Sequence, residues 1–110
     1  MTIILRDLPK HSLNEIYAGK HWKQRKSLKD TYTLIIKSQC KHVFSKLNTY
    51  SVSYDFRFKK KPLDVSNTVY MLKMIEDVIF EDDAYKIVKE INIKSSKDTE
   101  DYVIITVNKL

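Results

Sequence analysis

Residues 49–60 read TYSVSYDFRFKK, and the alternation in this stretch decides the fold. Val52, Tyr54, Phe56 and Phe58 occupy every second position, and the residues between them are polar or charged. Alternation with a period of two is typical of a strand with one buried face. The stretch therefore predicts a strand in a sheet that is covered on one side, and Pro62 ends any regular element after it.

The residues that precede this strand predict a short strand, a loop and a helix. Residues 2–5, TIIL, predict the short strand. Residues 8–23 contain a proline and the only glycine of the chain, and they predict the loop. From about Gln24 to Leu47, apolar residues recur at spacings of three and four, which predicts an amphipathic helix.

The residues that follow it predict a second helix and two more strands. The helix is expected from Asn67 to about Asp77, after several residues that are common N-caps. A strand over residues 84–95, the polar turn KSSKDTED and a last strand, YVIITV, complete the chain. The prediction is a single α+β domain over residues 1–110, with a mixed sheet, two helices packed on one face and the order β-α-β-α-β-β.

Length and composition fit one domain with a modest core, because the chain has 110 residues and is 43% apolar. No segment approaches the roughly 18–20 apolar residues of a membrane span, and the first apolar run is too short for a signal peptide. The single cysteine, Cys40, cannot form an internal disulfide, which fits a reducing compartment. A cytoplasmic protein without a membrane partner is therefore expected.

The net charge of +6 is divided unevenly along the chain. Residues 1–63 carry 14 Lys and Arg against 4 acids, whereas residues 64–110 carry 6 against 10. The two halves can attract each other within the fold. Alternatively, the basic half binds a polyanion beside a metal site in the acidic half.

Six acids lie within residues 61–83, KPLDVSNTVYMLKMIEDVIFEDD, although like charges placed together cost stability unless a cation or a basic partner offsets them. They are Asp64, Glu76, Asp77, Glu81, Asp82 and Asp83. A few carboxylates from different elements, completed by water, are the usual ligands of Mg²⁺. The acids stand near the start of the predicted helix and just before the next strand, so they can converge if that strand pairs beside the earlier one.

One face of the predicted second helix is polar. Ser66, Tyr70, Lys73 and Asp77 are spaced by four, three and four residues, which aligns them in one stripe. The stripe is either a solvated helix face or a surface that puts Lys73 near a bound phosphate.

This acidic stretch resembles the RusA-type Holliday-junction resolvases, a family of small phage and bacterial endonucleases. Their signature is an Asp-x-Asp-Asn at a strand-to-helix junction, then a helix, then an Asp-Asp pair that opens a strand. Here DVSN at residues 64–67 occupies the first place and VIFEDDAYKIV at residues 78–88 the second. The family's Pro-x-Ser-x-Asn-x-x-Tyr opening is similar, with looser spacing, to Ser12, Asn14 and Tyr17.

Two positions depart from the family signature. The second carboxylate of the family is Ser66 here, and the lysine three residues after the family's Asn is Tyr70 here. Because a hydroxyl is a poorer Mg²⁺ ligand than a carboxylate, either the metal site is incomplete or another acid completes it. Asp77 is the first choice and Glu76 the alternative on the same helix, with Lys73 as the replacement cation.

The resemblance implies a homodimer that makes two symmetric cuts in a four-way DNA junction, with Mg²⁺ or Mn²⁺ as cofactor and a role in DNA recombination and repair. It implies Asp64 and Asp83 as catalytic residues, and Lys73 is the catalytic residue expected in place of the family's lysine. The metal ligands would be Asp64, Asp83, Asp82 and Asp77, beside the motif residues Ser66 and Asn67. The residues expected to contact DNA phosphates are Lys20, Lys23, Arg25, Lys26, Lys59, Lys60 and Lys61.

Two questions stay open at this stage. Trp22, within the first basic cluster, is either an anchor that packs the loop or a residue that stacks on a base. The alternative function is a homologue that keeps the fold and binds DNA or a protein partner without cutting, and Ser66 is the feature that separates the two.

Overall fold

A four-stranded mixed sheet carries the fold in the computed structural model, which describes residues 1–19 and 21–110. The strands are β1 (Thr2–Arg6), β2 (Tyr50–Phe58), β3 (Val88–Lys97) and β4 (Tyr102–Lys109). They lie side by side in the order β1-β4-β2-β3. β2 is parallel to β3 and antiparallel to β4, and β1 is antiparallel to β4. The predicted α+β domain with a mixed sheet is therefore confirmed.

Three α-helices form in the described residues, so the prediction of two was wrong. They are α1 (Leu13–Gly19), α2 (Trp22–Gln39) and α3 (Val69–Ile79), and a 3₁₀ helix over Val65–Thr68 leads into α3. The order of the main elements is β-α-α-β-α-β-β. None of the helices in residues 1–19 and 21–110 has both the length and the apolar character that crossing a membrane requires.

The segment predicted to be a loop contains α1 and the start of α2, because both helices have local caps. Ser12 Oγ accepts a hydrogen bond from Glu15 N at 3.0 Å, and Glu15 Oε1 accepts one from Ser12 N at 3.4 Å. This reciprocal capping box starts α1. His21 and Gln24 form a second one at the start of α2. These caps outweigh the proline and the glycine on which the loop prediction rested.

The predicted end of the first long helix, Leu47, was also wrong. α2 ends at Gln39, and Cys40 is extended with φ −134°. Phe44 continues the apolar spacing and is buried, but it pairs with Phe80 as an isolated β-bridge. Leu47 is exposed. Phe44 therefore fits the helical spacing only by coincidence, because it is buried by its bridge to Phe80 and not by a helix.

The core lies between one face of the sheet and the helices. The five alternate residues of β2 from Tyr50 to Phe58 are each at most 4% exposed, which confirms the predicted buried face. They pack in one cluster with Tyr32 of α2 and Ile75 of α3. Burying a side chain of this size contributes roughly 1.5–3 kcal/mol, so this strand anchors both helices.

β2, α3 and β3 form a parallel crossover that positions the acidic residues. Phe58 at the end of β2 pairs with Lys97 at the end of β3, and Tyr50 pairs with Val88 where both strands begin. Asp64 follows the end of β2, whereas Asp83 precedes the start of β3. Parallel pairing alone therefore puts these two acids at opposite ends of the strands, and only α3 with its loops can bring them nearer.

Candidate functional site

A cluster of three carboxylates surrounds the ammonium group of Lys73. Lys73 Nζ donates a short hydrogen bond to Asp83 Oδ2. It lies 3.5 Å from Glu76 Oε1 and 3.8 Å from Asp77 Oδ1. The helix supplies Glu76 and Asp77, since positions three and four after Lys73 lie on the same side of α3. We call these four residues the carboxylate cluster.

Asp83 reaches α3 because the chain turns back after the helix. Glu81 N donates to Phe44 O at 3.0 Å, which fixes the start of the turn. Asp82 Oδ1 accepts from Ala84 N at 3.1 Å, so its carboxylate serves the turn itself. Ile87 N then donates to Ala84 O at 2.8 Å and leads into β3. Asp82 thus holds the loop that carries Asp83.

Glu76 is the unusual member of the carboxylate cluster, because it is only 4% exposed. Burial, followed by a hydrogen bond with Asp83, raises the pKa of Glu76 to about 7, although Lys73 opposes the rise. Hydrogen bonds from Lys73 and Glu76 lower the pKa of Asp83. One carboxyl of the pair thus stays protonated at slightly acid pH while the other is ionised.

Two buried polar atoms near the carboxylate cluster have no hydrogen-bond partner among residues 1–19 and 21–110. They are Glu76 Oε2 and the hydroxyl of Tyr54 on β2. Burial, then the negative charges of Glu76 and Asp83, raise the pKa of this phenol. An unpaired buried polar group typically costs about 1–3 kcal/mol, so a water or another polar partner at these two atoms would be stabilising.

The residues of this cluster fit a Mg²⁺ or Mn²⁺ ion in part. In the described part of the chain, no group of three or more His, Cys, Asp and Glu is arranged to hold a metal. Mg²⁺ is, however, commonly held by one or two carboxylates together with substrate phosphates. Glu76 and Asp83 are in contact and Glu76 has an unpaired oxygen, so this pair is suited to such a site. Lys73 supplies the compensating positive charge.

Among the described residues, the hydrogen bonds of the Asp-x-Ser-Asn motif at residues 64–67 do not reach the carboxylate cluster. Asp64 is exposed, and its side chain makes no capping bond to the 3₁₀ helix. Ser66 is exposed as well. Asn67 Oδ1 accepts from Asn14 N at 3.3 Å and thereby ties the 3₁₀ helix to α1. No hydrogen bond or ion pair among the described residues joins Asp64 to Asp83.

An open groove of about 610 Å³ runs between α1 and α2 on one side and α3 on the other. Four cationic side chains line it, namely Arg25, Lys26, Lys29 and Lys73. Lys29 Nζ lies 3.8 Å from Asp77 Oδ2, so the groove borders directly on the carboxylate cluster. Tyr17 and Trp22 line the same groove and are largely exposed.

The cations predicted to contact DNA fall into two places. Arg25 and Lys26 line the groove, whereas Lys23 stands beside it with Nζ 5.6 Å from the centroid of the Trp22 ring. The exposed run Lys59–Lys61 lies at the end of β2, where Lys59 N donates to Asp101 Oδ1 at 2.8 Å. Lys20, also predicted to bind DNA, lies outside the described residues.

Two features of the site were not predicted from the sequence, namely the burial of Glu76 and the ion pair between Lys29 and Asp77. Glu76 was only an alternative to Asp77, because a single helical Glu gives no sign that it is buried. Lys29 was expected in the basic cluster around Trp22, but its ion pair with Asp77 was not foreseen. Contacts between two different helices have no signal in the spacing of either helix.

Comparison of the chain with protein-family models and with curated proteins gives no match. The resemblance to the RusA-type resolvases therefore stays a prediction.

Proposed function

We propose that the protein is a metal-dependent endonuclease that binds branched DNA in the basic groove and cuts it at the carboxylate cluster. The observation that carries this proposal is the ion pair between Lys29 and Asp77, which joins the cationic groove to the carboxylate cluster. The resemblance to RusA-type resolvases supports the choice of four-way junctions as substrate and of a homodimer as the acting form in the cytoplasm.

Each residue of the proposed site has a role that follows from its chemistry. Arg25 and Lys29 neutralise backbone phosphates, which supplies affinity without sequence information. Lys73 stands where its ammonium can contact the phosphate that is cut. Glu76 and Asp83 would hold Mg²⁺ or Mn²⁺, and the chemistry that such an ion supplies when bound is activation of a water and stabilisation of the leaving oxygen. Without the ion, the pKa of Glu76 is about 7, so at lower pH the ion would have to displace a proton from this carboxyl in order to bind.

A second candidate function is DNA binding without cleavage. One observation favours it: Lys73 already compensates the charge of Asp83 through a direct hydrogen bond, so the carboxylates have an internal cation. In this case the groove binds DNA and the carboxylate cluster stabilises α3.

The experiment that separates the two is incubation of an end-labelled four-way junction with the protein and Mg²⁺ or Mn²⁺. The endonuclease cuts the junction, and the variants Glu76→Gln and Asp83→Asn bind it without cutting. Asp64→Asn tests Asp64, the catalytic residue that only the family resemblance implies. Glu90→Gln on β3, an exposed position, is the matched control and cuts like the parent protein. No cleavage by the parent protein with either metal leaves the binding function as the better account.

A binding measurement tests the metal separately from activity. A ligand that binds only the folded state at ten times its Kd stabilises that state by about 1.4 kcal/mol. Mg²⁺ or Mn²⁺ should therefore raise the Tm of the parent protein at pH 8 by several degrees, and should leave Asp83→Asn unchanged. An equal rise in Asp83→Asn would show that the ion binds elsewhere.

A further inference from the structure

We propose that the groove between α2 and α3 binds an unpaired nucleotide, whose base stacks on Trp22 and Tyr17 and whose phosphate lies on Arg25 and Lys29. The inference takes DNA as the ligand from the proposed function and adds to it a recognition site for a base outside the duplex. It requires no cleavage.

The two aromatic side chains are presented to the groove rather than buried in the core. Trp22 is 57% exposed and Tyr17 is 74% exposed, although both line the groove. Trp22 is the first residue of α2. Large aromatic side chains left exposed beside cations are typical of surfaces that bind nucleic acid bases.

The charges of the groove match a phosphate backbone. Four cations and a single acid, Asp77, line it. Lys26 is paired with Asp30, and Lys29 with Asp77. Arg25 forms no ion pair with any other described residue, so its guanidinium is available to an incoming phosphate. Arginine is suited to this task because its planar fork can donate two hydrogen bonds to one phosphate.

The size of the groove and the aromatic faces favour one unpaired nucleotide over a duplex. A volume of about 610 Å³ lies within the range of small-molecule pockets, roughly 300–1,000 Å³. Bases within a duplex are already stacked on their neighbours, and only an unpaired base offers a free face to an aromatic side chain. An apolar floor that includes Met74 and Val69 is compatible with the edge of a base.

The sole tryptophan of the chain makes the proposal directly measurable. Titration with a ten-residue oligothymidylate, with EDTA present, should quench the fluorescence of Trp22, and an abasic oligomer of equal length should not. Trp22→Ala should weaken binding of the oligothymidylate at least fivefold and binding of a blunt duplex less than twofold. Trp22→Phe should keep most of the affinity, because it keeps an aromatic face.

Tyr85→Ala is the matched control, since Tyr85 is 75% exposed with Lys86 and Lys89 near its ring but does not line the groove. It should change the affinity less than twofold. The proposal is overturned if Trp22 fluorescence does not change at saturation, or if Trp22→Ala weakens the duplex as much as the single strand. Quenching without junction cleavage supports this site and contradicts the nuclease, whereas cleavage without quenching does the reverse.

Discussion

Glu76→Gln should stabilise the protein at alkaline pH and have little effect at acid pH. Burial and Asp83 raise the pKa of Glu76 from its ordinary value near 4.5 to about 7. Between these two values the folded state binds more protons than the unfolded state, so stability falls as the pH rises through this window and is constant above it. A shift of this size corresponds to a loss of up to about 3 kcal/mol, at about 1.4 kcal/mol for each pH unit.

The glutamine amide has the shape of the protonated carboxyl and is likewise neutral, with N–H donors in place of the O–H and one acceptor oxygen. It therefore carries no ionisation cost at any pH. We expect the free energy of unfolding of Glu76→Gln to lie within about 1 kcal/mol of the parent value at pH 5. At pH 8 it should exceed the parent value by about 2–3 kcal/mol, which follows from the same pKa difference.

The assay is urea unfolding followed by circular dichroism at pH 5, 6, 7 and 8, with the protein concentration fixed because a dimer would make stability concentration-dependent. Glu90→Gln removes the same charge from an exposed position and should show no such trend. A difference between Glu76→Gln and the parent that stays flat with pH, or a less stable variant at pH 8, would refute the reasoning.

Three further predictions concern DNA, assembly and the motif. Replacing Lys23, Arg25 and Lys26 with alanine should weaken binding of branched DNA. It should also reduce the salt dependence of the binding constant by up to about 3, at roughly 0.9 for each lost phosphate contact. A matched triple replacement of Lys59–Lys61 tests the other cluster, and an unchanged salt dependence in the first variant would show that α2 does not contact the DNA. Light scattering at micromolar concentration should give about twice the 13.1 kDa chain mass, and a monomer in the presence of DNA would contradict paired cuts. Ser66→Asp should raise junction cleavage, because it restores a carboxylate where the family has one; a parent and variant that both lack cleavage favour the binding function.

The strands and helices of this fold were predictable from sequence to different degrees. The alternation from Val52 to Phe58 defined β2 because one residue in two had to be apolar, and the structure buries those residues. α1 escaped prediction because seven residues contain too few turns to establish a helical period, and only Ile16 is buried in it. The extent of α2 was misjudged because Phe44 belongs to a bridge with Phe80 that is distant in sequence.

The types of residue in the site were predictable from the sequence, but the contacts between their side chains were not. Lys73 lies in contact with Asp77 and with Asp83. Asp64, which was expected to act with Asp83, makes no hydrogen bond to the carboxylate cluster among the described residues. The burial of Glu76 was not foreseeable, since it depends on how α3 packs over β2 and on the loop that returns to it. Such tertiary packing has no periodic signature in the chain.

The position of β4 in the sheet has a consequence for the order of folding during synthesis. β1 pairs only with β4, and β4 lies about 100 residues after it in the chain. At a synthesis rate of roughly 5–20 residues per second, β1 therefore waits several seconds or more without its partner, while β2, α3 and β3 can already assemble. The crossover that carries Lys73 and Asp83 is thus able to form before the sheet is complete, and β4 closes the sheet by entering between strands that are already made.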